Sequence, residues 1–150
     1  MRLLIQRVKN ANVEVDNQRI AEINAGLLIF LGIETQDSPE DVEWLVAKVS
    51  KIRIFDDEQG VMNLAASDVF AQILVVSQFT LHASTKKGNR PSYIKAARPE
   101  TAIPLYELFV KQIKTESGCE VKTGVFGAMM NVGLVNDGPV TIIIDSKAKE

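Results

Sequence analysis

The chain has 150 residues, 46% hydrophobic and 24% charged, the balance of an ordinary globular domain with one core. A net charge of -2 excludes a bulk polycation, so any hold on nucleic acid must come from a local patch. One cysteine, Cys119, and one histidine, His82, exclude an internal disulfide framework and a zinc site of Cys and His ligands, and point to a reducing, cytoplasmic setting. No run approaches the ~18 uninterrupted apolar residues of a membrane span. The first seven residues lack the apolar region and cleavage site of a signal peptide.

Val13 and Val15 alternate with Glu14, and residues 20–23 can pair back across Asp16-Asn17-Gln18, which predicts a hairpin. After Gly26, Leu27-Leu28-Ile29-Phe30-Leu31 predicts a strand buried on both faces. Ser38-Pro39-Glu40-Asp41 predicts a helix start: Ser38 can accept free N–H groups, Pro39 suits the first turn, and two acids favour the positive end of the dipole. Val42, Leu45, Val46, Val49 and Ile52 then give that helix one apolar face. Residues 56–60 break the pattern as a turn, whose Asp56, Asp57 and Glu58 read as solvated rather than metal-binding.

Ile73-Leu74-Val75-Val76 predicts a second buried strand, continuing through Ser77-Gln78-Phe79-Thr80-Leu81. A second helix is expected from about Thr101 to Glu116, with Pro104 near its start and Gly118 at its stop. Residues 121–125, 132–135 and 140–144 complete the strands, and residues 146–150 form a polar tail expected to fray. Strands cluster instead of alternating with helices. The reading is α+β: a single domain over residues 1–150, with a mixed or mainly antiparallel, barrel-like sheet and two main helices.

The phosphate loop, the dinucleotide fingerprint and the nucleophile elbow are all missing from the sequence. His82 is expected to be exposed at a strand end, on the same side as Thr80, so a Thr80–His82 pair could serve a simple acyl hydrolase. Cys119 lies beside Glu120, which opposes thiolate formation. Residues 81–99 carry Lys86, Lys87, Arg90, Lys95 and Arg98 and no acid, leaving twelve basic and nineteen acidic residues elsewhere. Such a loop, with Tyr93 among its cations, suits phosphate contact as readily as plain solvation. In Asn136-Asp137-Gly138-Pro139-Val140-Thr141, Pro139 spoils the hairpin that Asp-Gly would otherwise signal.

Ser77-Gln78-Phe79-Thr80-Leu81 together with Asn136-Asp137-Gly138-Pro139-Val140-Thr141 resembles the two signature motifs of the D-aminoacyl-tRNA deacylase family. Ile5-Gln6-Arg7-Val8, Gly26-Leu27-Leu28, Arg53-Ile54-Phe55, Gly60-Val61-Met62-Asn63-Leu64, Arg90-Pro91-Ser92 and Gly124-Val125-Phe126-Gly127-Ala128-Met129 extend the resemblance along nearly the whole chain. It implies a cytoplasmic homodimer, without cofactor or metal, that hydrolyses the ester joining a D-amino acid or glycine to the terminal ribose of tRNA. It further implies that Gly138-Pro139 carries a cis bond and reaches from one subunit into the other's active site. There its carbonyls exclude an L side chain and tolerate a D one.

By the same resemblance Ser77, Gln78, Phe79 and Thr80 line the pocket, Phe126 and Met129 hold the terminal adenosine, and Arg7 braces the Gly-Pro turn. Thr80 is the family's candidate nucleophile. Because only His82 could serve it as a base, hydrolysis assisted by the ribose 2′-hydroxyl is preferred, with oxyanion donors from the Phe79 and Thr80 N–H groups. Lys86, Lys87 and Arg90 become contacts to the tRNA backbone. The alternative from another class is a non-catalytic nucleic-acid-binding module on the same scaffold.

Overall fold

The computed structural model describes residues 1–149. The chain opens with a long strand β1 (Arg2–Val15), hairpins into β2 (Gln18–Ile23) and returns as β3 (Gly26–Gly32). The helix α1 (Pro39–Val49), a small ribbon of β4 (Phe55–Asp56) and β5 (Met62–Leu64), and then β6 (Gln72–Ser77) follow. A 3-10 turn (Phe79–His82), the helix α2 (Pro99–Ser117), β7 (Val121–Thr123) and β8 (Asn131–Asp145) complete it.

The main sheet runs β2-β1-β3-β6-β7, with β8 on the other side of β1. All pairings of β1 are antiparallel, whereas β3–β6 and β6–β7 are parallel. The sheet curls until its ends approach, and Lys122 on β7 donates to the Glu22 carbonyl on β2 at 2.8 Å. The expected α+β, barrel-like class with two main helices is therefore what the chain adopts. One apolar cluster packs both helices on the sheet through Leu45, Val49, Phe109 and Ile113. A second, with Val13, Ile23, Leu28 and Leu74, fills the inside of the curl.

Several expectations shift. The first hairpin turn is only Asp16-Asn17, both at positive φ (51° and 61°), as a two-residue turn of inverted hand requires; Gln18 already pairs with Val15. The helix α1 ends at Val49, before Ile52. Its start is the expected cap in reciprocal form: Ser38 and Asp41 make a capping box, and the Asp41 carboxylate takes the Ser38 N–H at 2.9 Å and the Ser38 hydroxyl at 3.2 Å. Pro99, not Thr101, opens α2, so Pro104 lies in the second turn, where its missing N–H leaves the Glu100 carbonyl without a helical partner. Gly118 closes that helix at φ 66°.

The strand β6 stops at Ser77, and residues 79–82 coil into the 3-10 turn. Gly32 permits this: a Cβ there would sit 2.9 Å from the Leu81 Cβ and 3.0 Å from the Gln78 carbonyl oxygen. The two strands expected at 132–135 and 140–144 are one, β8, paired with β1 on both sides of a break at residues 137–140. The tail does not run free. Ser146 is buried and its N–H donates to the Met1 carbonyl, while Lys147 reaches Asp41 at 2.7 Å; Glu150 lies outside the described residues.

Candidate active site

Parallel pairing carries β3 and β6 to a common end, where Ser77 lies opposite Leu31 and the Gln78 N–H donates to the Leu31 carbonyl at 2.8 Å. The chain then leaves the sheet into the 3-10 turn. The N–H groups of Phe79 and Thr80, at the start of that turn, have no backbone acceptor among the described residues. Beside this end opens a mostly apolar cavity of about 410 Å³. Ser77, Gln78, Phe79 and Thr80 line it together with Phe126 and Met129.

The Gln78 side-chain amide donates to the Thr80 hydroxyl. His82 is buried, not exposed, and neither ring nitrogen has a hydrogen-bond partner, so it does not act on Thr80. The 3-10 geometry removes the two-residue alternation that would have put both on one side. The Nδ1 atom of His82 instead faces Glu34 at 3.9 Å. Phe126 is half-buried and packs edge-to-face on Tyr106, with ring centroids 5.5 Å apart. Tyr106, in α2, donates to the Val75 carbonyl at 3.0 Å, and burial pushes its hydroxyl up to about 12 against a smaller lowering by Thr123. Tyr106 is the supporting residue that sequence reasoning missed. Beside the buried apolar residues of α2, nothing in the sequence sets it apart from packing.

Arg7, Gly138 and Pro139 do not line this cavity. They meet at a second place, where Gln6 pairs with Thr141 and Val8 with Asn136, so that Arg7 alone stands against residues 137–140. The Gly138-Pro139 bond is cis, and Gly138 has φ 116°, a conformation that L side chains rarely adopt. The buried Arg7 guanidinium donates to the carbonyls of Ile54 (2.6 Å) and Asp137 (3.3 Å) and to the Asp56 carboxylate (3.2 Å). A Cβ on Gly138 would come within 3.0 Å of Arg7 Nη2, so glycine lets the turn close on the guanidinium. Gly138 and Pro139 themselves point into solvent. Lys86, Lys87 and Arg90 stand on an exposed loop outside the cavity's lining.

The sequence model of D-Tyr-tRNA(Tyr) deacylase matches residues 4–145. The chain belongs to the D-Tyr-tRNA(Tyr) deacylase family. Over its full length this family member is 59% identical to the D-aminoacyl-tRNA deacylase of Flavobacterium johnsoniae, and both chains are covered completely. It is likewise 59% identical to the protein of the same name from Bacteroides fragilis, again over all of both chains. A solved structure described as c-Myc DNA Unwinding Element Binding Protein is 38% identical and superposes with a TM-score of 0.92 over 99% of this chain and 100% of that one. Another, of a probable eukaryotic D-amino acid tRNA deacylase, shares the fold at 16% identity, with a TM-score of 0.80 over 95% of this chain and 97% of that one.

Proposed function

We propose that the protein hydrolyses the ester of D-aminoacyl-tRNA, and of glycine mischarged on tRNA(Ala), releasing the free amino acid and tRNA. The observation that carries this reading is the convergence of residues 77–80 with Phe126 and Met129 on one cavity, in a member of this family. The terminal adenosine rests against Phe126 and Met129, which puts the ester carbonyl beside the 3-10 turn. Two free N–H groups there, from Phe79 and Thr80, can receive the negative charge that develops on the carbonyl oxygen. The ribose 2′-hydroxyl helps activate water, whose oxygen bonds to the carbonyl carbon as the ribose 3′-oxygen leaves with a proton. Aminoacyl esters are labile, so positioning and two donors supply what the reaction needs.

Thr80 positions substrate in this scheme. Its hydroxyl already accepts from Gln78, and no base stands beside it.

Chiral selection comes from a second copy of the chain in a cytoplasmic homodimer. Gly138 and Pro139 are exposed, lie outside their own protomer's cavity and are braced by Arg7, which suits them to enter the partner's. A rigid turn with no side chain at Gly138 presents its carbonyls where an L side chain would stand, whereas a D side chain points away. The exposed loop of Lys86, Lys87 and Arg90 takes tRNA phosphates, contacts that carry no sequence information and so admit many tRNAs.

A comparison of D-tyrosyl-tRNA, L-tyrosyl-tRNA and a simple D-tyrosine ester tests the proposal: only the first is expected to lose its amino acid. Hydrolysis of the simple ester as well would point to a general acyl hydrolase. Binding of nucleic acid without any hydrolysis would favour a second reading, a non-catalytic module, which the basic loop and the name of the 38% identical relative support.

A further inference from the structure

The cavity has room for one nucleoside, and the surface just outside it is built for more. Phe79 lines the cavity yet remains 56% exposed, and its ring meets that of Tyr93 edge-to-face, centroids 5.1 Å apart and planes at 74°. Tyr93 is itself 39% exposed, so ring surface stays open beyond that contact. It follows directly on the neck of the basic loop, where Ser84 and Ser92 exchange backbone hydrogen bonds of 2.8 and 2.9 Å. On its other side the chain is pinned as well. The Ala96 N–H donates to the Tyr93 carbonyl, the Thr35 N–H to Lys95 and the Ala97 N–H to Ile33. The backbone around Tyr93 is thus held beside the cavity, within a segment of five cations, none of which forms an ion pair among the described residues.

An exposed aromatic ring on a hydrogen-bonded backbone, with unpaired cations on both sides along the chain, is the pattern that holds single-stranded nucleic acid, rings taking bases and cations taking phosphates. A pocket for an amino acid ester alone has no use for it. We propose that Tyr93 is a stacking platform for the base of the nucleotide that precedes the terminal adenosine of tRNA. Lys95 and Arg90 lie nearest it in the chain, one on each side, to receive the adjoining phosphates. This rests on the deacylase reading and extends it from one nucleotide to two. The acceptor end is held by stacking, without readout of base identity.

The test compares D-tyrosyl-tRNA with 3′-(D-tyrosyl)adenosine as substrates of the wild type and of Tyr93→Ala, Tyr93→Leu and Tyr93→Phe. Tyr93→Ala should raise KM for the tRNA about ten-fold more than for the short ester, since loss of one stacked base weakens binding on that order. Tyr93→Phe should restore most of the difference and Tyr93→Leu little of it. Equal losses on both substrates would mean that Tyr93 only supports Phe79, and rescue by leucine as complete as by phenylalanine would mean ordinary packing; either overturns the proposal. A titration of the wild type and Tyr93→Ala with adenosine and with an uncharged trinucleotide matching the tRNA 3′ end separates the two hypotheses. If no substrate is hydrolysed, the deacylase reading fails. The stacking proposal then stands only if the trinucleotide binds the wild type about ten-fold tighter than adenosine and Tyr93→Ala abolishes the difference.

Discussion

Thr80 sits in a turn where its one side-chain donor among the described residues, Gln78, is an amide and no base. In the proposed scheme, replacing it by alanine removes a hydroxyl that orients the substrate while the backbone N–H groups stay in place. The expected result is a fall in kcat of about ten-fold, on the scale of one lost hydrogen bond, with measurable turnover remaining in single-turnover assays. Abolished turnover with tRNA binding intact would return Thr80 to the role of nucleophile. At this scale the sequence was informative where residue types form a pattern, in the run from Ser77 to Leu81 and around Gly138-Pro139. It was uninformative for His82, because a single histidine carries no periodicity and its burial depends on how Gly32 lets the 3-10 turn settle.

Among the elements, α1 shows how the chain's end secures its middle. Partial burial works to raise the Asp41 carboxyl, but hydrogen bonds from Lys147, Ser146 and the Ser38 N–H outweigh it and hold the group well below the usual carboxylate range. A carboxyl depressed on folding stabilises the native state above its unfolded value, and that contribution fades as pH falls toward the folded one. Asp41→Asn should therefore lower stability by about 2 kcal/mol at neutral pH, as expected for hydrogen bonds to a charged group. In urea titrations the difference from wild type should shrink steadily below about pH 3.8, the group's ordinary value. A difference independent of pH would show that the ionised form is not what matters. Helix faces and buried strands were legible from apolar spacing, as in Val42, Leu45, Val46 and Val49. The end of β6 was not, because Phe79-Thr80-Leu81 has strand composition and only contact with Gly32 turns it aside.

For the molecule as a whole, β8 is the outlying feature. It pairs with β1 alone, so a strand of 15 residues leaves its other edge open. Ile143 on it is 70% exposed, and its register neighbours across β1 and β3 are the half-buried Leu4 and Phe30. A long open edge beside an apolar row invites a second copy of the chain. Ile143→Lys is expected to shift sedimentation toward the monomer and to reduce deacylation with it, while far-UV circular dichroism stays unchanged. A variant that sediments as the wild type would remove this face from the interface. The barrel-like class was expected, but the order in which the strands close the sheet and the single course of β8 could not be read in the sequence, since both depend on partners distant along the chain.

The interruption in β8 is also narrow. Thr141 and Asn136 fasten both of its feet to Gln6 and Val8, and β1 is itself clamped on its far side by β3. The tip between those feet has no slack along the strand and cannot slide in register. Its reach is set by the sheet itself, so a change of residue at the tip alters the surface presented there without moving the scaffold beneath it.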